Sequence, residues 1–196
     1  MDKVVVFFVE GDTEEAFYKK LTQCFREFCE NKKFAVRHVK IKNLKGISNF
    51  RTKIARVIER DCLNKFENSK IFPVLCYDMD VFEYGRNPPV DWKTVEKDLR
   101  KLPCVGDVIH LKARQTIEDW FLIDEEGVRE FLGIPARKKP MTRYGYKEIC
   151  ALFKQANKTY VKGRGAEGLI NKLDMEKIIQ KKQILFDPVI QLLSIP

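Results

Sequence analysis

Glu10 directly follows Lys3-Val4-Val5-Val6-Phe7-Phe8-Val9, and Asp78 and Asp80 follow Ile71-Phe72-Pro73-Val74-Leu75-Cys76-Tyr77. Both runs are continuously apolar rather than alternating, the pattern of strands buried on both faces of a parallel sheet. In open α/β sheets, ligands bind beyond the carboxyl ends of the strands. Residues i and i+2 of an extended segment point the same way, ~6.5–7 Å apart, so Asp78 and Asp80 can bracket a hard cation. Mg²⁺ takes one or two carboxylates and completes its shell with water and phosphate oxygens. Asp-x-Asp alone is a weak signal, because turns are rich in Asp. A second acid at an equivalent strand end strengthens it: massing Glu10, Asp12, Asp78 and Asp80 at one edge costs stability unless a cation relieves the repulsion.

The elements that must position these acids follow an alternating order. After the first strand, Glu10-Gly11-Asp12-Thr13-Glu14-Glu15 opens a helix, with Asp12 or Thr13 as its cap and Asp12/Glu15 at capping-box spacing. Phe17, Leu21, Cys24, Phe25 and Phe28 form its apolar face. A second strand is expected at 34–42, a loop at Lys45-Gly46-Ile47-Ser48, and an amphipathic helix over 50–66. The strand at 71–77 leads through a loop at Pro88-Pro89 to a helix over 91–101 and a short strand at 105–111. That order is an α/β domain with a largely parallel sheet. Beyond Arg114 the pattern turns helical, at 116–132, 146–157 and 166–183, around a basic loop at 134–143.

The chain has 196 residues and a formal charge of +9. With 44% hydrophobic and 11% aromatic residues it can bury a sizeable core, which excludes global disorder. No apolar run approaches the ~18–20 residues of a bilayer span, and Met1-Asp2-Lys3-Val4 lacks the layout of a signal peptide. None of the six cysteines forms a C-x-x-C pair, which fits reduced core thiols in a cytoplasmic protein, and two histidines leave little room for a His-rich zinc site. The charge is segregated: residues 31–65 and residues 137–182 each carry a net +9, and the remainder carries −9. Two basic surfaces flanking an acidic centre suit a polyanion such as nucleic acid, although Lys-rich helix faces alone would also produce such runs.

Val9-Glu10-Gly11-x-Thr13-Glu14-Glu15-x-Phe17, followed about 65 residues later by a strand and Asp78-x-Asp80, resembles the Toprim fold. Toprim proteins include topoisomerases, bacterial primases, OLD-family nucleases and ribonuclease M-type maturases. The resemblance implies a Rossmannoid α/β core over residues 1–112, with a mainly parallel sheet flanked by helices and a basic helical extension over 113–196. It also implies Mg²⁺ (or Mn²⁺) held for phosphodiester chemistry. The Thr-Glu-Glu form is closest to small Toprim proteins of phage-defence neighbourhoods. Ala113-Arg114-Gln115-Thr116-Ile117-Glu118-Asp119-Trp120-Phe121-Leu122 is similar to a segment of the Toprim nuclease subunit that partners an ABC-type ATPase in PARIS-like systems, with Tyr160-Val161-Lys162-Gly163 corresponding to a later Lys-Gly element.

Carried over residue by residue, the resemblance makes Glu10 the general base or a metal-linked acid and Asp78 and Asp80 metal ligands. Glu14 is a further candidate ligand, Glu118 a site acid, and Lys162 a cation for the charge developing on a phosphate. Asp12 is expected to cap its helix, Asp119 is a weaker site candidate, and Lys45-Gly46 is a candidate phosphate-contacting loop. His38 and His110 are expected to be structural, and Trp92 and Trp120 to lie in the core or an interface. No tyrosine stands in a topoisomerase context and no Walker A motif is present, so an ATPase would be a separate polypeptide. A dehalogenase-type phosphatase would carry Asp-x-Asp after its first strand, where this chain has Glu-Gly-x-Thr-Glu-Glu. The expected function is therefore a Mg²⁺-dependent nuclease of DNA or RNA. The alternative is a non-catalytic Toprim adaptor that binds nucleic acid or a partner protein.

Overall fold

The computed structural model describes residues 2–28, 38–63, 65, 66, 68–80, 82, 88–136 and 144–194. Four strands, β1 (Asp2–Val9), β2 (His38–Asn43), β3 (Ser69–Asp78) and β4 (Ile109–Ala113), form one sheet in the order β2-β1-β3-β4. Every neighbouring pair is parallel, with Val4 opposite His38 and Ile71, and Val74 opposite Ile109. The fold class is therefore α/β with an all-parallel sheet. The order places the reversal of winding between β1 and β3, where open parallel sheets bind their ligands.

The continuous apolar runs behave as buried strands must. Val4 to Val9 are all fully buried. Alternate residues feed opposite faces, as the pleat requires: Val5, Phe7 and Val9 enter one core and Val4, Val6 and Phe8 the other. Helix α1 (Asp12–Phe28) covers the first face with Phe17, Tyr18, Leu21 and Phe25. Helix α2 (Asn49–Val57), continued as a stretch of π-helix through Leu63, covers the second together with α3 (Trp92–Arg100). One crossover thus lies on one face and the next two on the other, the switch that brings the ends of β1 and β3 together.

Several boundaries differ from the sequence expectation. The fourth strand begins at Ile109 rather than 105, because Val105 makes only a single bridge to Ile71 before the chain leaves the ladder. Gly106 passes so close to Phe72 that a Cβ there would lie 2.5 Å from its ring. The single helix expected over 116–132 is broken into α4 (Glu118–Phe121), a 3₁₀ turn, and α5 (Glu125–Leu132). Asp124, whose carboxylate accepts from the Gly127 N–H, ends the turn and caps α5. The 166–183 helix is likewise divided, into a 3₁₀ turn at Gly163–Ala166, α7 (Glu167–Ile170) and α8 (Met175–Lys181), after α6 (Gly145–Gln155). A last helix, α9 (Gln183–Leu193), was not foreseen. Of the second strand expected at 34–42, residues 34–37 lie outside the described residues, as do 137–143 of the basic loop and Cys29.

The helices beyond β4 are not peripheral. Trp120, Ile149, Ile178, Phe186 and Val189 belong to the same buried cluster as Val5 and Phe7. The 112/113 division falls inside β4, and the core crosses it. Trp120 is 1% exposed and packs on Phe17, Tyr18 and Phe186, while Trp92 stacks on Tyr77 at 4.1 Å between ring centroids. Cys62, Cys76, Cys104 and Cys150 are free thiols, and among the described residues no helix is long and apolar enough to cross a membrane. Because Phe186 is fully buried between α1 and Trp120, Phe186→Ala should lower stability by about 3–5 kcal/mol. Urea unfolding should still show a single transition; separate transitions for the two halves would contradict the shared core.

Candidate functional site: acids at the ends of two strands

Glu10 and Asp78 end up as neighbours because β1 and β3 are adjacent and parallel. The Glu10 Oε1 accepts a 2.9 Å hydrogen bond from the Asp78 N–H, tying the strand ends together. The backbone past Asp78 is held from the other side: the Met79 and Asp80 N–H groups donate to the Gln115 carbonyl at 3.1 and 3.2 Å. Asp119 has a local task there. Its Oδ2 accepts from the Gln115 and Thr116 N–H groups at 3.1 and 3.4 Å, shaping the turn between β4 and α4.

That turn delivers Glu118, the first residue of α4, into the interior, where it is fully buried. Its Oε1 accepts from the Tyr160 hydroxyl at 3.0 Å and lies 3.5 Å from the Lys162 Nζ. Its Oε2 is buried without a hydrogen-bond partner, one of two such side-chain atoms among the described residues, Thr116 Oγ1 being the other. A buried carboxylate oxygen left unpaired costs free energy on the order of 1–3 kcal/mol or more, and such orphans are rare among buried polar groups. Lys162 is held in place through the next residue: the Gly163 N–H donates to the Thr13 hydroxyl at 2.6 Å. Gly163 has φ +78°, a left-handed conformation that glycine adopts without strain. The start of α1 and the segment before α7 are thereby fastened together 150 residues apart in sequence.

The electrostatics report the same convergence. Burial, then the charges of Glu14 and Asp80, push the Glu10 carboxyl up to about 7, against the Asp78 N–H and Lys162, which pull it down. Burial, with Glu14, Glu10 and Glu118 around it, pushes Asp78 up to about 9 despite Lys162. Glu14 is raised too, chiefly by burial and also by Glu118, while its own N–H and Lys162 oppose the rise. Burial would lower the Lys162 ammonium, but Glu118, Asp78 and Glu14 outweigh it and hold it above its ordinary value. Burial beside Glu118 pushes the Tyr160 hydroxyl up, so it stays a proton donor to Glu118.

Glu10, Glu14, Asp78 and Lys162 therefore feel the charges around them, among them those of Asp80 and Glu118, the set of residues that the resemblance grouped. Among the described residues, no group of three or more His, Cys, Asp or Glu side chains is placed so that it could hold a metal ion. Glu10 is turned to the Asp78 amide and Glu118 to Tyr160 and Lys162, which accounts for the spacing. The donor chemistry still suits a hard divalent cation: every acceptor is a carboxylate oxygen, one has no partner, and their mutual repulsion is what a cation relieves.

Other candidates have different duties. Asp12 is the first residue of α1 and its Oδ1 accepts from Asn43 at 2.7 Å and from the Lys45 ammonium. The Lys45-Gly46 loop does not present its amide to a ligand, because the Gly46 N–H donates to the Glu10 carbonyl at 2.7 Å. His110 shares 3.1 Å hydrogen bonds with Tyr77 and Glu96, and His38 packs on Phe66 at 4.7 Å, structural placements for both. Thr13 and Tyr160 escaped the sequence argument as site residues. Both sit inside quoted motifs, but neither hydroxyl carries a charge that spacing could flag.

Carboxyls raised in the folded state bind protons more tightly than in the unfolded chain. Their stabilising share is whole below about pH 4 and is lost as pH rises towards about 7 for Glu10 and about 9 for Asp78. In EDTA, melting temperature should therefore fall across this window. Asp78→Asn should flatten the fall, gaining on the order of 1–3 kcal/mol at pH 9 relative to pH 5; equal slopes in both proteins would refute the assignment. No family model, no curated protein and no solved structure matches this chain.

Proposed function

We propose that this chain is a Toprim-type, Mg²⁺-dependent nuclease that hydrolyses phosphodiester bonds of DNA or RNA. The observation that carries the proposal is the buried carboxylate set at the ends of two central parallel strands, with one ammonium, Lys162, facing Glu118 and a Glu118 oxygen left unpaired. Glu10, Glu14, Asp78 and Asp80 would hold the ion, with Glu118 adjoining. Bound there, Mg²⁺ would activate water and neutralise the charge of the phosphate and the leaving oxygen.

The chain's own groups divide the remaining work. Glu10, with its proton affinity near neutrality, is suited to take a proton from an attacking water, since a general base works best with a pKa close to ambient pH. Lys162 stays protonated among its acids and offers a fixed positive charge to a non-bridging phosphate oxygen. Glu118 and Tyr160 orient that ammonium rather than touch substrate, and Thr13 anchors the segment carrying it. A place in phage defence beside a separate ABC-type ATPase is part of the proposal and rests on the resemblance alone.

A second possibility is a non-catalytic Toprim adaptor, favoured by the absence, among the described residues, of a ready three-carboxylate group and by the Lys162–Glu118 contact. There Lys162 would act as a built-in counter-ion in the place of a metal.

Plasmid DNA, single-stranded DNA and tRNA incubated with the protein and Mg²⁺ or Mn²⁺ distinguish the two. Glu10→Ala and Asp78→Asn should each reduce cleavage by about 10²-fold or more. Lys162→Ala should reduce it as well, with partial recovery in Lys162→Arg. Mn²⁺ at a hundredfold excess over its Kd should stabilise the wild type by about 2.7 kcal/mol and leave Asp78→Asn unchanged. No cleavage with either metal, alone or with an ATPase partner, together with no Asp78-dependent metal uptake, would establish the adaptor instead.

A further inference from the structure

Four large apolar side chains are exposed among the described residues, and three of them, Tyr144, Tyr146 and Val161, belong to the segments that lead into α6 and to Lys162. Tyr146 is 41% exposed at the start of α6, and Tyr144, just before it, is 60% exposed. The Tyr146 ring connects directly to the acidic site: the Lys162 Nζ lies 5.1 Å from its centroid and the Tyr160 ring 5.8 Å away. The same Nζ is 3.5 Å from the Glu118 Oε1.

The outward side of α6 continues from Tyr146 as a shallow cleft of about 660 Å³ lined by Lys147, Cys150, Ala151, Lys154 and Gln155. Lys147 and Lys154 are exposed, two turns apart on one side. The sole acid of α6, Glu148, points the other way and is 4% exposed. The cleft thus combines an aromatic ring, two lysines and no exposed acid of its own helix, beside the candidate catalytic cluster.

We infer that this face of α6 is a stacking platform for single-stranded nucleic acid, with a base lying on Tyr146 and backbone phosphates following Lys147 and Lys154 toward Lys162. Charge complementarity names a polyanion, and the exposed ring narrows it. Bases present free π-faces only when unpaired, and stacking on aromatic side chains together with a basic track is how single strands are bound without sequence readout. A duplex keeps its base faces covered, so it could use the lysines but not the ring. The Lys162 ammonium that lies 5.1 Å from the Tyr146 centroid is 3.5 Å from the Glu118 Oε1, so a strand stacked on the ring passes beside the acidic site. The inference rests on the nuclease proposal for what happens to the strand, but binding itself does not require catalysis.

The test is fluorescence anisotropy in EDTA, which separates binding from cleavage. The probes are a short labelled adenine oligonucleotide as DNA and as RNA, the matching DNA duplex, an abasic strand of equal length, and polyglutamate. Single strands should bind more tightly than duplex. Tyr146→Ala should weaken single-strand binding by about 5- to 150-fold and duplex binding little, while Tyr146→Phe, which keeps the ring, should bind like the wild type. Lys147→Gln with Lys154→Gln should weaken binding to single strands and duplex alike, and reduce the salt slope for single strands by about 1.4. Melting curves of each variant check that the exposed substitutions leave the fold intact.

The inference is overturned if Tyr146→Ala changes neither ligand or both equally, if the abasic strand binds as well as the adenine strand, or if polyglutamate binds as tightly. Tyr146-dependent binding without metal-dependent cleavage would sink the nuclease proposal and keep the platform. Cleavage that is indifferent to Tyr146 would do the reverse, and loss of both binding and cleavage would remove both.

Discussion

β1 and β3 lie side by side at the centre of a sheet buried on both faces, and over 4–9 and 71–77 neither carries a charged side chain. Polar chemistry is confined to where these strands end. There the Glu10 carboxylate reaches across to the Asp78 amide and fixes the relative position of the two ends. The candidate site hangs on that junction. The turn after β4 is bonded to it through Gln115, and the start of α1 leaves directly from it.

The junction is electrostatically unbalanced by design of the fold rather than by composition. The chain as a whole is basic, yet Glu10, Glu14, Asp78 and Glu118 are withdrawn from water, and the cation that acts on all four is Lys162. Burial raises Glu10, Glu14 and Asp78 by disfavouring their charge, and the neighbouring acids add to it. Buried polar groups are ordinarily satisfied. Here one Glu118 oxygen has no hydrogen-bond partner among the described residues. The exposed lysine- and tyrosine-bearing side of α6 adjoins the same ammonium, so the proposed platform and the charge balance of the acids share one residue.

Much of this was legible in the chain. Fully apolar runs of six and seven residues, at 4–9 and 71–77, announce central parallel strands, because only a strand covered on both faces tolerates them, and the acids immediately after them announce strand ends. The apolar face of α1 also read correctly at Phe17, Leu21 and Phe25 from a 3.6-residue period, whereas Asp12, expected as the cap, is the first residue of the helix itself. What failed were the long helices expected over 116–132 and 166–183. Their apolar period is real, but Asp124 and Asp174 cap new helices in mid-pattern, and no period records where a chain must bend to follow a curved core. The fourth strand slipped by four residues because Val105 is as apolar as a strand residue and bonds like one for a single bridge.

Local sequence by itself determined the two central strands, their ends and the identity of the acids placed there, since burial and pleat act residue by residue along the chain, but not the order of the strands in the sheet. It could not decide which later side chains would meet them. That Glu118 is buried against Tyr160, that Lys162 is the cation set among the acids, and that a Thr13 hydroxyl holds the segment carrying it follow from contacts 42 to 150 residues apart. The tertiary structure alone decided them, because the free energy of a buried charge depends on the neighbours that the whole fold delivers, and spacing along the chain carries no record of those neighbours.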